Sequence, residues 1–594
     1  MLHAMSPSPL LAAVVLLSVA SIAIPGAQVA GPRIWATHDG TKVLRDDRAH
    51  PDRERNAIWD GSAIHLVAAR NETVAFQVIV EGGAGIEALT ATLPSLATAG
   101  GDRIGGAAIA VHSQHYLDVS RRSRATWVFR DAAAPTTPLG WTPVALVPST
   151  ARAGRGGMPL AVAAGHNQGL WIEIHTPMEA APGTYTGEVV VTADDVRQSI
   201  PVRLDLLAVT IPDAPTLPAI VYYERSQTDL YHGRNMDAAY HAFAHRHRVE
   251  FTHAYDDETA IAARGRFDGS AFSEAAGYEG PGAGDGNRVL PRTFYSPGTL
   301  FDSPDTARAT LERWNTTLQA LSPALTFVYL PDEPTPPQYP RVLAVGTRVR
   351  EAARAVGSPV KTFLTHGYAP ELADAVDIWA AVPAHYDAAR AREERKAGKQ
   401  MWFYNGGRPH MGAIIVDAPA TDPRVVGWAA FRHDVDGYFY WHANHWRHNS
   451  QKKIGDRNQD VWQEPITFDN RTESKQDIGF INGDGVLVFP GEDVLHPAQD
   501  RGHRGPIGTI QFANLRRGLQ DHALLTMARE RGLHRDVERA LDAVVPRVLS
   551  DAGRTVGFSE DGNLWERTRR DLLQAIAVSG GGDARPAPRA AGAR

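Results

Sequence analysis

Hydrophobic and polar residues alternate through the first third of the chain, with turn-forming residues between the alternating segments. The segments 73–80 and 200–206 show the pattern most clearly, because every second position in each carries a large apolar residue. Successive side chains of a strand point to opposite faces of the sheet, so this alternation indicates half-buried antiparallel strands. We therefore predict a β-sandwich domain over residues 31–215.

Beyond the proline-rich segment 211–215, the pattern changes to short apolar runs that are separated by helical patterns. Such alternation predicts strand and helix units around a parallel sheet. The eight candidate strands are 220–224, 249–253, 292–295, 325–330, 360–366, 376–382, 401–405 and 437–441. Eight units within residues 216–460 predict a TIM-like (β/α)8 barrel, in which catalytic residues follow the C-terminal ends of the strands.

Helix signals mark the connections between these strands and the end of the chain. Ser303 and Pro304 provide a cap and a first-turn proline for one helix, and Gly357 is expected to stop another. Residues 461–579 mix strand and helical patterns and are predicted to form a barrel-associated region. The fold class is therefore multidomain β plus α/β, with a C-terminal helical and mixed segment. The Gly-, Pro- and Arg-rich tail 580–594 is predicted to be disordered.

The N-terminus carries an apolar stretch from residue 9 to residue 24, after which Pro25 and Gly26 interrupt any helix. We interpret residues 1–30 as a secretory signal peptide. This predicts a secreted, periplasmic or cell-envelope protein that has no stable membrane span after leader removal. The alternative is an uncleaved N-terminal anchor, because the residues before the apolar stretch include no Lys or Arg and only His3.

The charge balance and the residue types exclude several classes of function. The chain of 594 residues has 61 basic and 67 acidic side chains, so a nucleic-acid partner, which needs a basic field, is not expected. The absence of cysteine excludes disulfides, thiolate metal sites and a cysteine nucleophile. His241 and His245 have helical spacing but lack the adjacent Glu of the zinc protease motif. Neither a metal nor a cofactor is expected, and no oligomeric state is indicated.

Two adjacent carboxylates, Asp332 and Glu333, directly follow the candidate strand 325–330 and are flanked by Pro331 and Pro334. Each proline removes a backbone donor and fixes a φ angle, so the strand must end here in a rigid turn. A turn can direct both acids toward one pocket, whereas neighbouring residues of a strand point apart. Paired carboxylates at a strand end of a barrel suit glycosidic cleavage. In the alternative interpretation, Asp332 caps the next helix and Glu333 faces solvent.

The turn that holds the two acids is one of several motifs spread along the chain after residue 160. The motifs are the segments 169–172 (Gly-Leu-Trp-Ile), 182–187 (Pro-Gly-Thr-Tyr-Thr-Gly), 329–334 (Tyr-Leu-Pro-Asp-Glu-Pro), 437–441 (Gly-Tyr-Phe-Tyr-Trp) with Asn444 and Trp446, 482–485 (Asn-Gly-Asp-Gly), 490–491 (Pro-Gly), and 516–521 with Leu524 and Leu525. In this order they resemble glycoside hydrolase family 123, the β-N-acetylgalactosaminidase family. In that family a β-sandwich precedes a barrel, and an Asp-Glu pair follows a barrel strand.

The resemblance implies a role for each acid and a class of substrate. Glu333 would act as general acid and then as general base, while Asp332 would orient and polarise the 2-acetamido group of the substrate. The acetamido oxygen would attack the anomeric carbon and give an oxazolinium intermediate, with retention of configuration. No enzyme nucleophile is then needed, so the two acids can be neighbours in sequence. The expected partner is a glycan or glycoconjugate substrate.

Other strand ends offer side chains that suit a sugar pocket, which needs flat apolar surfaces and fixed polar groups. The candidates for substrate binding are Tyr223, Glu224, His253, His366, Tyr404, Asn405, Trp441, Asn444 and Trp446. We favour Trp441 and Tyr404. Some of the others should belong to the core, because aromatic residues within barrel strands are more often buried.

Two alternative functions stay open at this point. The first is a glycosidase of another sugar specificity, in which Glu333 works with a distant carboxylate such as Glu224. The second is a noncatalytic carbohydrate-binding protein of the cell envelope, since fold alone does not establish activity. A requirement for the 2-acetamido group of the substrate separates the first alternative from the family mechanism. A glycan that binds without being cleaved would support the second.

Overall fold

The computed structural model describes residues 32–129, 131–448, 457–469 and 479–580. The predicted signal peptide lies outside these residues, and so does the predicted disordered tail apart from Gly580. Both therefore stay predictions. None of the helices in the described ranges is long and apolar enough to cross a membrane.

The N-terminal region is built from strands that form two main sheets. Its strands are β1 (Arg33–His38), β2 (Ile64–Arg70), β3 (Glu72–Glu81), β4 (Ile86–Thr92), β5 (Ser95–Ala97), β6 (Arg103–Gly105), β7 (Ile109–Val119), β8 (Arg124–Ala125), β9 (Gly140–Pro148), β10 (Leu160–Val162), β11 (Asn167–Thr176), β12 (Gly183–Ala193) and β13 (Val196–Thr210). One sheet has the order β1-β3-β11-β7-β9. The other has the order β10-β4-β12-β13-β2, with β5 paired to β12 and β6 paired to β5. Buried residues of both sheets join in one hydrophobic core.

The two alternating segments differ in how much of the strand is buried. In β13 the alternation gives buried residues on one face and more accessible residues on the other, as predicted. In β3 all ten residues are buried, so the expectation of a half-buried strand is wrong for this segment. The second face of β3 packs against the C-terminal part of the chain, where the Gln520 side chain accepts a hydrogen bond from the backbone N–H of Thr73 at 3.0 Å.

The predicted barrel is present as a nearly closed ring of eight parallel strands. Its elements are β14 (Ala219–Tyr222), α1 (Arg225–His232), α2 (Asp237–Arg246), β15 (Glu250–Thr252), α3 (Asp257–Ala262), α4 (Arg264–Phe267), β16 (Val289–Pro291), α5 (Pro304–Leu321), β17 (Leu325–Tyr329), α6 (Tyr339–Val356), β18 (Lys361–Leu364), β19 (Ile378–Ala381), α7 (Ala388–Lys396), β20 (Gln400–Tyr404), α8 (Val425–Arg432) and β21 (Tyr438–Tyr440). The strand order is β15-β14-β21-β20-β19-β18-β17-β16. The prediction of a multidomain β and α/β chain with a barrel is thus confirmed.

A glutamate bridges the one seam where the barrel strands are not paired, between β15 and β16. The Glu250 carboxylate accepts the backbone N–H groups of Arg288 at 2.8 Å and Val289 at 3.0 Å. The carboxylate thereby occupies acceptor positions that a neighbouring strand would otherwise supply. Its burial raises the pKa of Glu250 to about 7, although the two backbone hydrogen bonds act to lower it.

The element predictions for the barrel are confirmed with one exception. The helix α5 begins after a Ser303 cap, and α6 ends at Gly357, whose φ of 64° is favourable for glycine. The predicted third strand at 292–295 is wrong, because the strand is β16, which ends at Pro291. Beyond it, the Thr293 hydroxyl rather than the backbone accepts the N–H of Tyr329 at 2.9 Å, so the ladder is interrupted.

In the described part of the C-terminal region there are short strands and three α-helices. They are β22 (Arg447–His448), β23 (Arg457–Asn458), β24 (Ile466–Asp469), β25 (Gly479–Asn482), β26 (Val488–Pro490), β27 (Pro506–Gly508), α9 (Ile510–Glu530), α10 (His534–Val544) and α11 (Gly562–Ser579). Strand β25 pairs with β24 on one side and with β8 of the N-terminal region on the other. The C-terminal region therefore contributes to one sheet together with the N-terminal region, while the domain boundaries given above stay predictions.

Buried ion pairs connect α9 and α11 to the N-terminal region. Arg517 of α9 lies 2.9 Å from the Glu72 carboxylate and 3.0 Å from that of Asp39, and Arg569 of α11 also pairs with Glu72. All four side chains are almost fully buried. Arg517 further contacts Glu566 of α11 at 3.1 Å. Charges at this depth are tolerated only because each has a partner.

Candidate active site

Asp332 and Glu333 lie in the turn that follows β17, at the C-terminal end of the barrel, and both are exposed to solvent. The backbone N–H of Asp332 donates to the carbonyl of Tyr295 at 3.0 Å, which fixes the start of the turn. Glu333 has a φ of 40°, in the left-handed region that few residues other than glycine adopt. Such strained backbone persists where surrounding structure holds it, and it is frequent at functional sites.

Two hydroxyl groups hold the Asp332 carboxylate. Thr365 donates to its Oδ1 at 2.6 Å, and Tyr329 donates to the same oxygen at 2.8 Å. Thr365 also accepts the backbone N–H of Glu333 at 3.2 Å, so one side chain contacts both acidic residues. Desolvation by the surrounding protein raises the pKa of Asp332, although the Thr365 and Tyr329 hydrogen bonds act to lower it.

The Glu333 carboxylate has a different partner. The hydroxyl of Tyr404, at the end of β20, donates a short hydrogen bond to its Oε1. Tyr404 is buried except for 4% of its surface, and its ring stacks near Phe439 at 6.1 Å between centroids. Burial and then the negative charge of Glu333 raise the pKa of Tyr404 far above its ordinary value. Tyr404 therefore stays neutral and donates to the acid.

Trp441 forms part of the same barrel mouth. Its backbone N–H donates to Asn405 Oδ1 at 3.0 Å, and its carbonyl accepts the hydroxyl of Tyr295 at 2.7 Å. The indole N–H donates to Asp484 at 3.0 Å. These bonds connect Trp441 through Tyr295 to the turn of Asp332. The structure thus places both favoured aromatic candidates, Trp441 and Tyr404, beside the acids, and their role in sugar binding stays a prediction.

Glu224 lies after β14 and is held by a cluster of its own. Its carboxylate accepts from Arg447 at 2.6 Å and from Ser226 at 2.8 Å, and His442 Nε2 lies 3.6 Å from its second oxygen. Desolvation acts to raise the pKa of Glu224, but the His442 and Ser226 hydrogen bonds and the charge of Arg447 outweigh it and lower the pKa to about 2. Glu224 is therefore an ionised side chain that is already paired.

The two predicted histidines occupy different surroundings. His366 directly follows Thr365, and its Nε2 lies 3.1 Å from the hydroxyl of Tyr339. His253 follows β15 and stacks on Tyr255, with 4.2 Å between the ring centroids. Burial lowers the pKa of His253 to about 4, so this ring is neutral near pH 7. The sequence position of His366 beside Thr365 makes it the stronger candidate of the two.

Three predicted substrate-binding residues are placed elsewhere by the structure. Tyr223 is fully buried on the helix-facing side of β14, where it stacks on Phe251 at 5.5 Å, because its neighbour Tyr222 takes the barrel-facing position. The Asn444 side chain is buried against the backbone of Glu224, to which it both donates and accepts. Trp446 is buried, and its indole N–H donates to the Val488 carbonyl at 2.8 Å. We retain none of the three as a sugar contact.

Several residues of the site carry no obvious sequence signal. Thr365 and Tyr329 belong to strand-like segments in which a hydroxyl residue is ordinary, and Tyr295 was assigned to a strand that is absent. Asp484 lies in the motif 482–485, which gives no signal for a site residue, yet it is buried and accepts from the Trp441 indole and the Tyr440 hydroxyl. One signal could have identified Thr365. It lies near the C-terminal end of the candidate strand 360–366, and the C-terminal ends of barrel strands all face the same mouth.

Comparisons with known proteins agree with this geometry. Residues 323–528 match the family model described as glycoside hydrolase 123, catalytic domain. The matched residues include both acids, and over this range the match agrees with the family resemblance that the motifs predicted. A comparison with curated protein sequences found no match.

Solved structures show the fold over most of the chain. The chain is similar to a family 123 glycoside hydrolase from Clostridium perfringens, with 11% identity, a TM-score of 0.60, and coverage of 92% of this chain and 98% of that chain. A Parabacteroides merdae β-glucuronidase, with 12% identity and a TM-score of 0.23, covers 62% of this chain and 45% of its own. A putative β-galactosidase from Bacteroides fragilis has the same identity and TM-score and covers 63% and 53%. Of these three similarities, the first supports a shared fold, and the TM-scores of the other two are too low for any argument.

Proposed function

We propose that the protein is a retaining β-N-acetylgalactosaminidase that uses the 2-acetamido group of its substrate as the nucleophile. One observation carries the proposal: the Asp332 carboxylate is fixed by Thr365 and Tyr329 directly beside Glu333. A fixed carboxylate next to a proton donor suits an amide nucleophile. The amide needs a partner for its N–H while its oxygen attacks the anomeric carbon.

In this mechanism each acid has one task per step. The acetamido oxygen forms a bond to the anomeric carbon as the bond to the leaving oxygen breaks, and Glu333 gives its proton to that oxygen. Asp332 stabilises the positive charge that develops on the acetamido nitrogen. Water then attacks the anomeric carbon while Glu333 takes up a proton, and the acetamido group is restored. Desolvation raises the pKa of Asp332. In the same partly dehydrated surroundings, a hydrogen bond from the amide N–H to the Asp332 carboxylate is stronger than it would be in water.

The first alternative function has less support from the geometry. A glycosidase that used Glu224 as its second carboxylate would need that group free to reach the anomeric carbon or a water molecule. The Glu224 oxygens are instead engaged by Arg447, Ser226 and His442. The Clostridium perfringens structure is described in terms of glycolipid glycan hydrolysis, and we extend that substrate class to this chain as part of the proposal. We also propose export, on the basis of the apolar stretch near the N-terminus.

The proposal is tested with an aryl 2-acetamido-2-deoxy-β-galactoside that has a poor leaving group and with the matching β-galactoside, which has a hydroxyl at C2. Wild-type protein should cleave the first and not the second. Glu333→Gln and Asp332→Asn should each lower kcat about 10²–10⁴-fold. Glu393→Gln, which changes an exposed acid on α7, serves as the matched control. Equal turnover of both glycosides, or near wild-type turnover by either variant, would refute the proposal.

A further inference from the structure

A cavity of about 360 Å³ lies where the N-terminal region, the barrel and the C-terminal region meet. Its volume is within the range of pockets that bind small ligands. The N-terminal region supplies residues of β7, β9 and β11, the barrel supplies α2, and the C-terminal region supplies the segment that contains β27. The polar part of the wall includes Glu173, Arg246, His247, His503 and Arg504, and Phe243 belongs to the apolar part.

The cavity is at the end of the barrel opposite to the two acids. Arg246 is the last residue of α2, and His247 follows it directly, three residues before β15 begins. Residues between a barrel helix and the next strand lie at the N-terminal ends of the strands. Asp332 and Glu333 instead follow the C-terminal end of β17. A ligand in the cavity therefore does not contact the acids.

The wall of the cavity carries a net positive charge. Among its described residues the carboxylate is that of Glu173, and this group is already paired with Arg516, which donates to it at 2.6 Å and 3.1 Å. The partner of Arg246 is a backbone carbonyl, that of Glu279, at 2.9 Å. Within the described part of the chain the Arg504 side chain makes no hydrogen bond or ion pair. Two arginines without a carboxylate partner favour a ligand with a negative charge.

His247 adds a hydrogen-bond acceptor to the wall. Its Nδ1 lies 2.9 Å from the carbonyl oxygen of Phe243, and because a carbonyl can only accept, Nδ1 carries the proton. Burial lowers the pKa of His247 to about 3, so the ring is neutral near pH 7 and Nε2 keeps a free lone pair. The ring stacks on Phe512 at 4.3 Å between centroids, which fixes its orientation. A lone pair at Nε2 accepts a hydroxyl group and repels the oxygen of a bare anion.

We propose that this cavity is a noncatalytic binding site for a sugar acid, a monosaccharide unit that carries a carboxylate and several hydroxyl groups. The carboxylate accepts from Arg246 and Arg504, a hydroxyl donates to His247 Nε2, and the ring C–H groups pack against Phe243. A neutral sugar lacks the charge, and an inorganic anion such as sulfate lacks the hydroxyl donor. Because the site is separate from the acids, this inference does not depend on the proposed function.

Calorimetric titration of the full chain with galacturonate tests the site, with the neutral methyl ester of galacturonate and sulfate as comparison ligands. Galacturonate should bind about tenfold more tightly than either. Arg504→Gln should weaken galacturonate binding about 10–100-fold. His247→Phe keeps an aromatic ring but removes the acceptor, so it should weaken galacturonate binding and leave sulfate binding unchanged. Arg535→Gln, which changes an exposed arginine of α10 outside the cavity, should bind galacturonate like wild type.

Three outcomes would overturn the proposal. The first is that galacturonate does not bind, or binds equally to wild type and Arg504→Gln. The second is equal binding of galacturonate and its methyl ester, which would show that the charge is not recognised. The third is equal binding of galacturonate and sulfate, which would identify a general anion site. Thermal unfolding of each variant identifies a loss that is due to misfolding. Arg504→Gln should hydrolyse an aryl glycoside at the wild-type rate, and the binding test stands whatever the hydrolysis assay shows.

Discussion

The Thr365 hydroxyl lies 2.6 Å from the Asp332 carboxylate, and the same hydroxyl oxygen accepts the backbone N–H of Glu333. A threonine that follows the neighbouring strand thus sets the direction of one acid and the backbone position of the other. Thr365 is therefore a positioning residue. Its hydroxyl contacts the two acidic residues, and the acids in turn act on the substrate. The strained φ of Glu333 is held partly by this bond.

Replacing Thr365 by valine should test this role, since valine has nearly the same shape and no hydroxyl. A hydrogen bond to a charged group contributes about 1.5–3 kcal/mol, so we expect kcat to fall roughly 10–100-fold. The bond lowers the pKa of Asp332, and its loss should move the acid limb of the kcat/KM profile to higher pH. Thr365→Ser keeps the hydroxyl and should retain the wild-type limb. An unchanged pH profile in the valine variant would contradict the assignment.

Removing the Tyr404 hydroxyl should weaken catalysis through Glu333. In Tyr404→Phe the carboxylate loses its hydrogen-bond donor, and we expect kcat/KM for the aryl glycoside to fall about tenfold. Tyr185→Phe is the matched control, because the Tyr185 hydroxyl donates to the Ala181 carbonyl in the N-terminal region, away from the acids. Steady-state kinetics of both variants at one pH measure the difference. Comparable losses in the two variants would show that the hydroxyl of Tyr404 has no special role.

Substitution of Glu224 distinguishes the two glycosidase mechanisms. If Glu224 only pairs with Arg447 and His442, then Glu224→Gln should lower kcat less than about tenfold. A direct role as nucleophile or base predicts a loss of about 10²–10⁴-fold. Arg447→Gln disrupts the same ion pair from the other side and should resemble Glu224→Gln. A large loss confined to the Glu224 variant would favour the mechanism with a distant carboxylate.

Glu250 at the barrel seam predicts a pH dependence of stability. Its pKa is raised to about 7 from an ordinary value of 4.5. Below pH 4.5 the group is protonated in both the folded and unfolded states, so its contribution to stability is fully present. As pH rises to 7, the unfolded state ionises first, and the free energy of unfolding should fall by roughly 3 kcal/mol.

Urea unfolding at pH 5 and pH 8 measures this effect. Glu250→Gln cannot ionise, so the difference in unfolding free energy between the two pH values should shrink relative to wild type. Glu258→Gln, at an exposed position of α3, should retain the wild-type difference. The same difference in wild type and Glu250→Gln would mean that the seam carboxylate does not govern stability.

The features of the site that arise from residues close together in the sequence could be predicted. The strand before the acids, the proline-bounded turn and the barrel follow from local patterns and periodicity, and the structure contains them. The choice between Tyr222 and Tyr223 could not be made, because consecutive strand residues face opposite sides and the sequence does not fix which one faces the barrel interior. Thr365 was missed since its role arises from a contact between two strands that are 30 or more residues apart.

The buried ion pairs among Arg517, Glu72 and Arg569 have a consequence for where the enzyme can be divided. Cutting the chain between the N-terminal region and the barrel would take Glu72 away from Arg517 and Arg569, although Arg517 would keep its contact with Glu566. Removing one partner of a buried ion pair costs about 3–5 kcal/mol. A loss of that size is a large part of the stability of an ordinary domain. The smallest active fragment must therefore include the N-terminal residues that pair with these arginines. Such a fragment is much longer than the barrel segment that contains the two catalytic acids.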